Sequence, residues 1–247
     1  MAATFVAASA VWTVSLNDPA IPSGTAAGDR MFLFCVAKPY DATFDAISGW
    51  TRLDAACGTN GTTASSVDLG SVKWEVWYRD WQSGDAAPAV NWSGTINVAL
   101  NVIHTVRKTL AAFDIAACKG GDTTSGTALS ITMDADPGIT SGDLLLGFSG
   151  IAGNDATFAS PVISAASATI GSATEAPAAE GSTTGGNDLE ASACYAACTA
   201  GAGTAAPVLA WTLSAAQTGG GCIIRVRDVA AGGSIPVIMN QYRQRRN

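Results

Sequence analysis

Residues 95–106 read TINVALNVIHTV, and the fold class is decided there. Ile96, Val98, Leu100, Val102, His104 and Val106 fall on one side of an extended chain, with mostly small or polar residues between them. That period of two is the mark of a strand with one face in a core. Residues 70–81, GSVKWEVWYRDW, repeat the pattern: Val72, Trp74, Val76 and Tyr78 share one face, and Lys73, Glu75, Trp77 and Arg79 share the other. Working outward, strands are expected near 11–16, 31–37, 72–79, 88–93 and 96–107, then near 128–133, 143–149, 191–197, 208–213 and 222–227. Gly- and Thr-rich segments such as 56–66 and 180–190 read as loops, and no segment carries a helical stripe. Short strands separated by Gly, Asp and Pro turns predict an all-β protein, an antiparallel, jelly-roll-like β-sandwich.

The second half echoes the first. DPAIPSG from Asp18 resembles DPGITSG from Asp136, and GDRMFLF from Gly28 resembles GDLLLGF from Gly142. PAVNW (Pro88–Trp92) resembles PVLAW (Pro207–Trp211), and IHTVR (Ile103–Arg107) resembles IIRVR (Ile223–Arg227). Four matches in the same order predict an internal repeat of about 115 residues. The halves are expected at about 11–110 and 126–230, joined through 113–126, within one pseudo-duplicated sandwich spanning 1–230. Two small tandem sandwiches are the alternative. Residues 231–247 form an appendage to either.

The chain has 247 residues, of which only 13% are charged, with a formal net charge of −7. About a quarter is usual, so small neutral and hydroxyl side chains must cover the surface. Such a surface loses little side-chain entropy when pressed against a neighbour. The negative charge argues against direct nucleic-acid binding. No apolar run reaches the ~20 residues of a membrane span. The opening MAATFVAASAVW lacks the basic start of a secretory signal, so synthesis in the cytoplasm is expected.

Chemical motifs are sparse. His104 is the only histidine, and its counterpart in the second half is Ile224, so a packed core role is expected rather than catalysis. Asp18, Asp29, Asp136 and Asp143 stand beside Gly or Pro at strand edges, where they cap turns. Cys35, Cys57, Cys118, Cys194, Cys198 and Cys222 read as free thiols. The C-x₃-C of Cys194 and Cys198 has no second pair to complete a metal site. No catalytic residue, cofactor or metal is expected.

The interface candidates are aromatic and basic. Trp77, Arg79 and Trp81 could anchor a protein partner or stack on a sugar, or a loop of the chain could simply cover them. In SIPVIMNQYRQRRN (234–247), Ile235, Val237, Ile238, Met239 and Tyr242 precede Arg243, Arg245 and Arg246, the composition of a docking arm for an acidic surface.

GDRMFLF, GWTRL (49–53), VWYRDW (76–81) and VNWSGTINVALNVI (90–103) together resemble a group of β-rich structural proteins of tailed bacteriophages. The resemblance covers about residues 15–230. It implies a non-enzymatic virion protein, made in the host cytoplasm, that decorates or cements the particle. Its partners would be major capsid or tail proteins and other copies of itself, with a trimer as a candidate state. The alternative it carries is a carbohydrate-binding or host-attachment module of the tail, with a host glycan as ligand. The chain lacks the coiled-coil or collagen-like shaft of a fibre. The second half lacks tryptophans at the GWT and YWR positions, so any aromatic contact surface is expected in the first half.

Overall fold

Alternating apolar residues bury one strand face, and two such sheets bury each other. The computed structural model describes residues 3–14, 18–39, 41–61, 71–93, 96–153, 156–182 and 188–230. In the first half the strands are β1 Thr4–Ala8, β2 Thr13–Val14, β3 Arg30–Lys38, β4 Thr43–Phe44, β5 Thr51–Arg52, β6 Gly58–Asn60, β7 Val72–Asp80, β8 Trp92–Ser93 and β9 Val98–Arg107. In the second they are β10 Ala112–Thr132, β11 Leu144–Ile151, β12 Phe158–Ser164, β13 Ala168–Ile170, β14 Thr174–Glu175, β15 Glu180–Ser182, β16 Leu189–Gly201 and β17 Val208–Val229. The one helical turn among the described residues is a 3₁₀ turn, Asp54–Ala56.

One sheet runs β1-β9-β3-β7-β5, with β2 on β9 and β6 on β7. The other runs β10-β17-β11-β16-β13, with β12 on β17 and both β14 and β15 on β16. All pairings are antiparallel, and β17 serves β11 with its second part and β12 with its first, so this sheet curls into a half-barrel. The protein is an all-β sandwich. Its connectivity is simpler than the jelly-roll-like one expected: apart from the small β4-β8 pair, strands up to Arg107 stay in one sheet and strands from Ala112 stay in the other. A jelly roll passes its strands back and forth between sheets.

The main paths of the two sheets have the same layout over five strands, although one sheet has seven strands and the other eight. Arg30 pairs with Val106 and Phe32 with His104; Leu144 pairs with Val226 and Leu146 with Ile224. At the start of each central strand, a Gly-Asp turn is held by an arginine from the neighbouring strand. The Arg107 guanidinium donates to both Asp29 oxygens (2.8 and 2.7 Å) and to the Gly24 carbonyl (2.9 Å). The Arg227 guanidinium does the same to Asp143 (2.8 and 2.8 Å) and the Gly138 carbonyl (2.9 Å). The turns held in this way are 22–29 and 136–143. Gly24 and Gly138 both hold φ values in the left-handed region, +83° and +73°.

Three apolar layers result. Phe32, Phe34, Trp74 and Val102 of the first sheet meet Leu146, Phe148, Ala191 and Ile224 of the second, and this shared layer makes one sandwich of the two halves. The outer face of the first sheet, with Met31, Leu33, Trp77 and Ile103, lies under Phe44, Ile47, Trp50 and Val90 from the connecting segments. The concave face of the second sheet closes over Leu145, Trp211, Ile163 and Leu209.

Several elements differ from the sequence reading. Residues 113–126, expected as a link, lie within β10, and 222–227 is only the end of the much longer β17. The reason is steric. Gly120 and Gly121 face Gly221 and Gly220 across the two strands. A Cβ on Gly220 would come within 2.5 Å of the Trp74 ring, and one on Gly121 within 2.2 Å of the Asn60 amide. Glycines that read as turns are therefore the floor on which the first sheet rests. Strands β1 and β12 escaped notice as well, and the expected strand 88–93 is reduced to Trp92–Ser93.

Candidate functional site

The edge of the first sheet is broken where the 3₁₀ turn interrupts it. Arg52 of β5 pairs with Trp77 of β7, and Gly58 of β6 pairs with Trp74. Glu75 and Val76 lie between these pairings. The Leu53 amide donates to the Val76 carbonyl, and the Trp74 indole donates to the Ala56 carbonyl at 2.7 Å, which pins the turn across the gap. Two adjoining clefts of about 350 and 370 Å³ open here, sharing Gly58, Thr59 and Lys119. One reaches inward to Trp74 and the Gly120–Gly121 bend of β10, and the other reaches Arg52, Lys73 and Glu75.

Glu75 is the unusual member. Its side chain is only 3% exposed, and its Oε2 makes no hydrogen bond of good geometry, although the buried Trp77 indole lies close enough to favour the charged carboxylate. The nearest cations, Arg52 Nη1 and Lys73 Nζ, stand 3.7 and 3.8 Å from Oε1, beyond direct hydrogen bonding. Burial raises the Glu75 pKa above the ordinary carboxylate value, and Lys73 and Arg52 pull it back. Cys57 beside it is pushed up to about 11 by burial, so its thiol is protonated at neutral pH and a poor nucleophile. Lys119 enters from the opposite wall, and its ammonium has no ion-pair partner among the described residues.

The residues singled out from the sequence are placed elsewhere. Trp77 is 7% exposed and packs under the chain's own loops with Met31, Leu33 and Trp50. Trp81 is half-buried against the same cluster. Arg79 forms an ion pair with Asp85 and lies over Gly49. Segments around Phe44, Ile47 and Val90 cover these aromatics. Ile235, Val237, Ile238, Met239, Tyr242, Arg243, Arg245 and Arg246 lie outside the described residues.

His104 sits in the shared core, fully buried between Phe5 and Phe148. Its Nε2–H donates to the Ala176 carbonyl at 2.5 Å, Nδ1 has no partner, and burial drives the pKa down to about 4. A neutral, enclosed imidazole is a packing residue. All six cysteines are free. Asp136 caps its own turn by accepting from the Gly138 amide, while Asp18 accepts from the Val90 amide. Among the described residues no group of three or more His, Cys, Asp or Glu side chains converges on one point.

Sequence reading missed Glu75, Lys73, Arg52 and Lys119 as a group. The signal was present in part: alternation puts Glu75 on the same face as Trp77, and a carboxylate on a face with that much apolar area is unusual. Lys119 was hidden because CKGGD did not read as a strand. No family model, no curated protein and no solved structure matches the chain.

Proposed function

We propose that this protein is a non-enzymatic structural component of a bacteriophage virion, decorating or cementing the particle through protein–protein contacts. One observation carries the reading furthest. Among the described residues, only Val11 and Val162 are large hydrophobics left exposed, because loops and the curl of the second sheet cover every apolar face. The body is thus a self-contained, weakly charged block. The segment 234–247, with its apolar run and three arginines, is the part of the sequence best suited to engage an acidic neighbour. Many weak contacts around a symmetric shell would add by multivalency.

The motifs GDRMFLF, GWTRL and VWYRDW support the virion setting, and the shared strand order, register and arginine clamp support a duplicated origin for the two sheets. Burial of Trp77 counts against the version of the host-attachment alternative in which that ring stacks on a glycan.

The test is co-sedimentation with empty particles, using the full chain and a chain lacking 234–247. The reading expects the full chain to pellet with particles and the shortened one to stay in the supernatant. Equal behaviour of the two chains, bound or unbound, removes the arm from the docking role.

A further inference from the structure

An edge strand leaves every second N–H and C=O without a ladder partner, which makes sheet edges natural places for a second chain to add. Most edges of this molecule are blunted. Strand β1 carries a bulge between Phe5 and Ala7, β12 carries Pro161 and a bulge between Ala159 and Val162, and β13 slips register between Thr169 and Ile170. The edge formed by β5 and β6 is cut by the 3₁₀ turn. Strand β10 differs. It stands at the end of the second sheet, and its register against β17 runs without a shift over 112–122, a stretch that contains no proline.

The far end of this edge sets its hydrogen-bond phase. The Lys119 amide donates to Asp134 Oδ1 at 3.0 Å, and the Lys119 carbonyl accepts from the Asp134 amide at 2.7 Å. Lys119 therefore points its backbone groups away from β17, and the alternation of an antiparallel ladder gives Phe113, Ile115 and Ala117 the same direction. No turn, loop or side chain among the described residues bonds to these outward groups. All three residues are half-buried, with their side chains packed on the shared core. Asp114 is paired with Arg225 at 2.9 Å and lies 3.7 Å from Arg227, so no unpaired charge stands on 113–117 to repel a second strand.

We propose that the edge 113–117 of β10 pairs antiparallel with the same edge of a second copy of this chain, about a two-fold axis at Ile115. Phase and charge select that register. Ile115 falls opposite Ile115 of the second copy, Phe113 opposite Ala117 and Asp114 opposite Ala116, so every outward N–H and C=O gains a partner and no like charges meet. A shift of one residue would set outward groups against inward ones. Centring on Asp114 would bring the two Asp114 carboxylates face to face. Centring on Ala116 would oppose Phe113 to Lys119, whose backbone groups Asp134 already holds. The edge is thus complementary to itself under two-fold rotation, which makes a second copy its occupant. A contact of one strand pair is small, so the dimer is weak in solution and gains strength where copies are crowded together. It does not rest on the virion reading and uses none of residues 234–247.

The experiment is sedimentation velocity of the full chain from about 10 μM to about 1 mM, where a small interface associates. The expected result is a reversible monomer–dimer equilibrium that a chain lacking 234–247 reproduces. Ala117→Pro removes an outward N–H and leaves the ladder to β17 in place, and it is expected to raise the dissociation constant about tenfold or more. A urea melt of the variant shows that it is folded. Hydrogen exchange of the unaltered chain supplies a reading that needs no variant and decides the matter if Ala117→Pro does not fold. The amides of Phe113, Ile115 and Ala117 are expected to exchange about twofold slower or more at the top of the concentration range than at the bottom. The proposal is overturned by a chain that stays monomeric throughout, by a dimer that folded Ala117→Pro leaves unchanged, or by exchange at these amides that ignores concentration. Loss of the dimer with 234–247 also overturns it and assigns the contact to the arm.

Discussion

Acid sensitivity gives the sharpest test of how the two sheets are joined. His104 is sealed in the shared core with its pKa lowered from 6.5 to about 4 by burial, partly offset by the bond to Ala176. Between those values the unfolded chain binds a proton that the folded chain refuses. Stability from this residue is complete above about pH 6.5 and falls toward pH 4, at about 1.4 kcal/mol per pH unit. Glu190 acts with the opposite sign. It is 4% exposed, and burial, with Glu180 and Glu175 nearby, raises its pKa from 4.5 to about 8. The folded chain then keeps a proton that the unfolded chain releases, so stability falls as pH rises through that window, with a similar slope. From about pH 4.5 to 6.5 the two slopes oppose, and the native protein should show a nearly flat urea midpoint. Glu190→Gln removes one side of the balance and should expose a midpoint that falls steadily as pH drops from 6.5 to 4.5. Adding His104→Leu should flatten it again, at some cost in stability at neutral pH because the Ala176 carbonyl loses its donor. The assay is urea unfolding followed by tryptophan fluorescence, with the m-value checked for constancy. A Glu190→Gln variant whose midpoint does not fall over that range would refute the reasoning, because His104 would then be accepting its proton without penalty.

Three further outcomes follow from the packing. Gly220→Ala should destabilise the fold by about 1–3 kcal/mol, since the new methyl meets a Trp74 ring that is fully enclosed, whereas Gly126→Ala, with no atom nearer than 3.8 Å, should change the urea midpoint little. Asp143→Ala should lower stability by about 1–3 kcal/mol because it leaves Arg227 with only the Gly138 carbonyl, the Thr140 hydroxyl and the more distant Asp114, and frees the Thr140 amide, and the loss should be visible in the same melts. A thiol titration with a disulfide reagent at neutral pH should report at most slow reaction of Cys57 in the native protein and six thiols after unfolding, since the other five cysteines are buried.

The sequence disclosed those parts of the fold where alternation is strong and the strand lies mid-sheet. The faces of β3, β7, β9 and β11 are legible because each must bury one side against the other sheet, and His104 could be assigned to the core by comparison with Ile224. It concealed what depends on partners distant in sequence. The Gly-rich centres of β10 and β17 look like turns until Trp74 and Asn60 are seen occupying the space where side chains would be. Strand β12 contains Pro161 and a bulge between Ala159 and Val162, both edge features that weaken a strand signal. Trp77 looked like surface because Lys73 and Arg79 share its face, yet loops far along the chain cover its ring. The cleft was the least legible feature: it needs Glu75 in one sheet, Lys119 in the other, and a gap created by a single 3₁₀ turn.

The proposal at the centre is that this chain is a building block of a virion. The most direct measurement is quantitative mass spectrometry of particles purified from cells in which the chain is expressed. The account predicts the chain at a fixed, multi-copy ratio to the major capsid or tail protein, retained through density-gradient purification. Particles that are complete and infectious without it would contradict the claim.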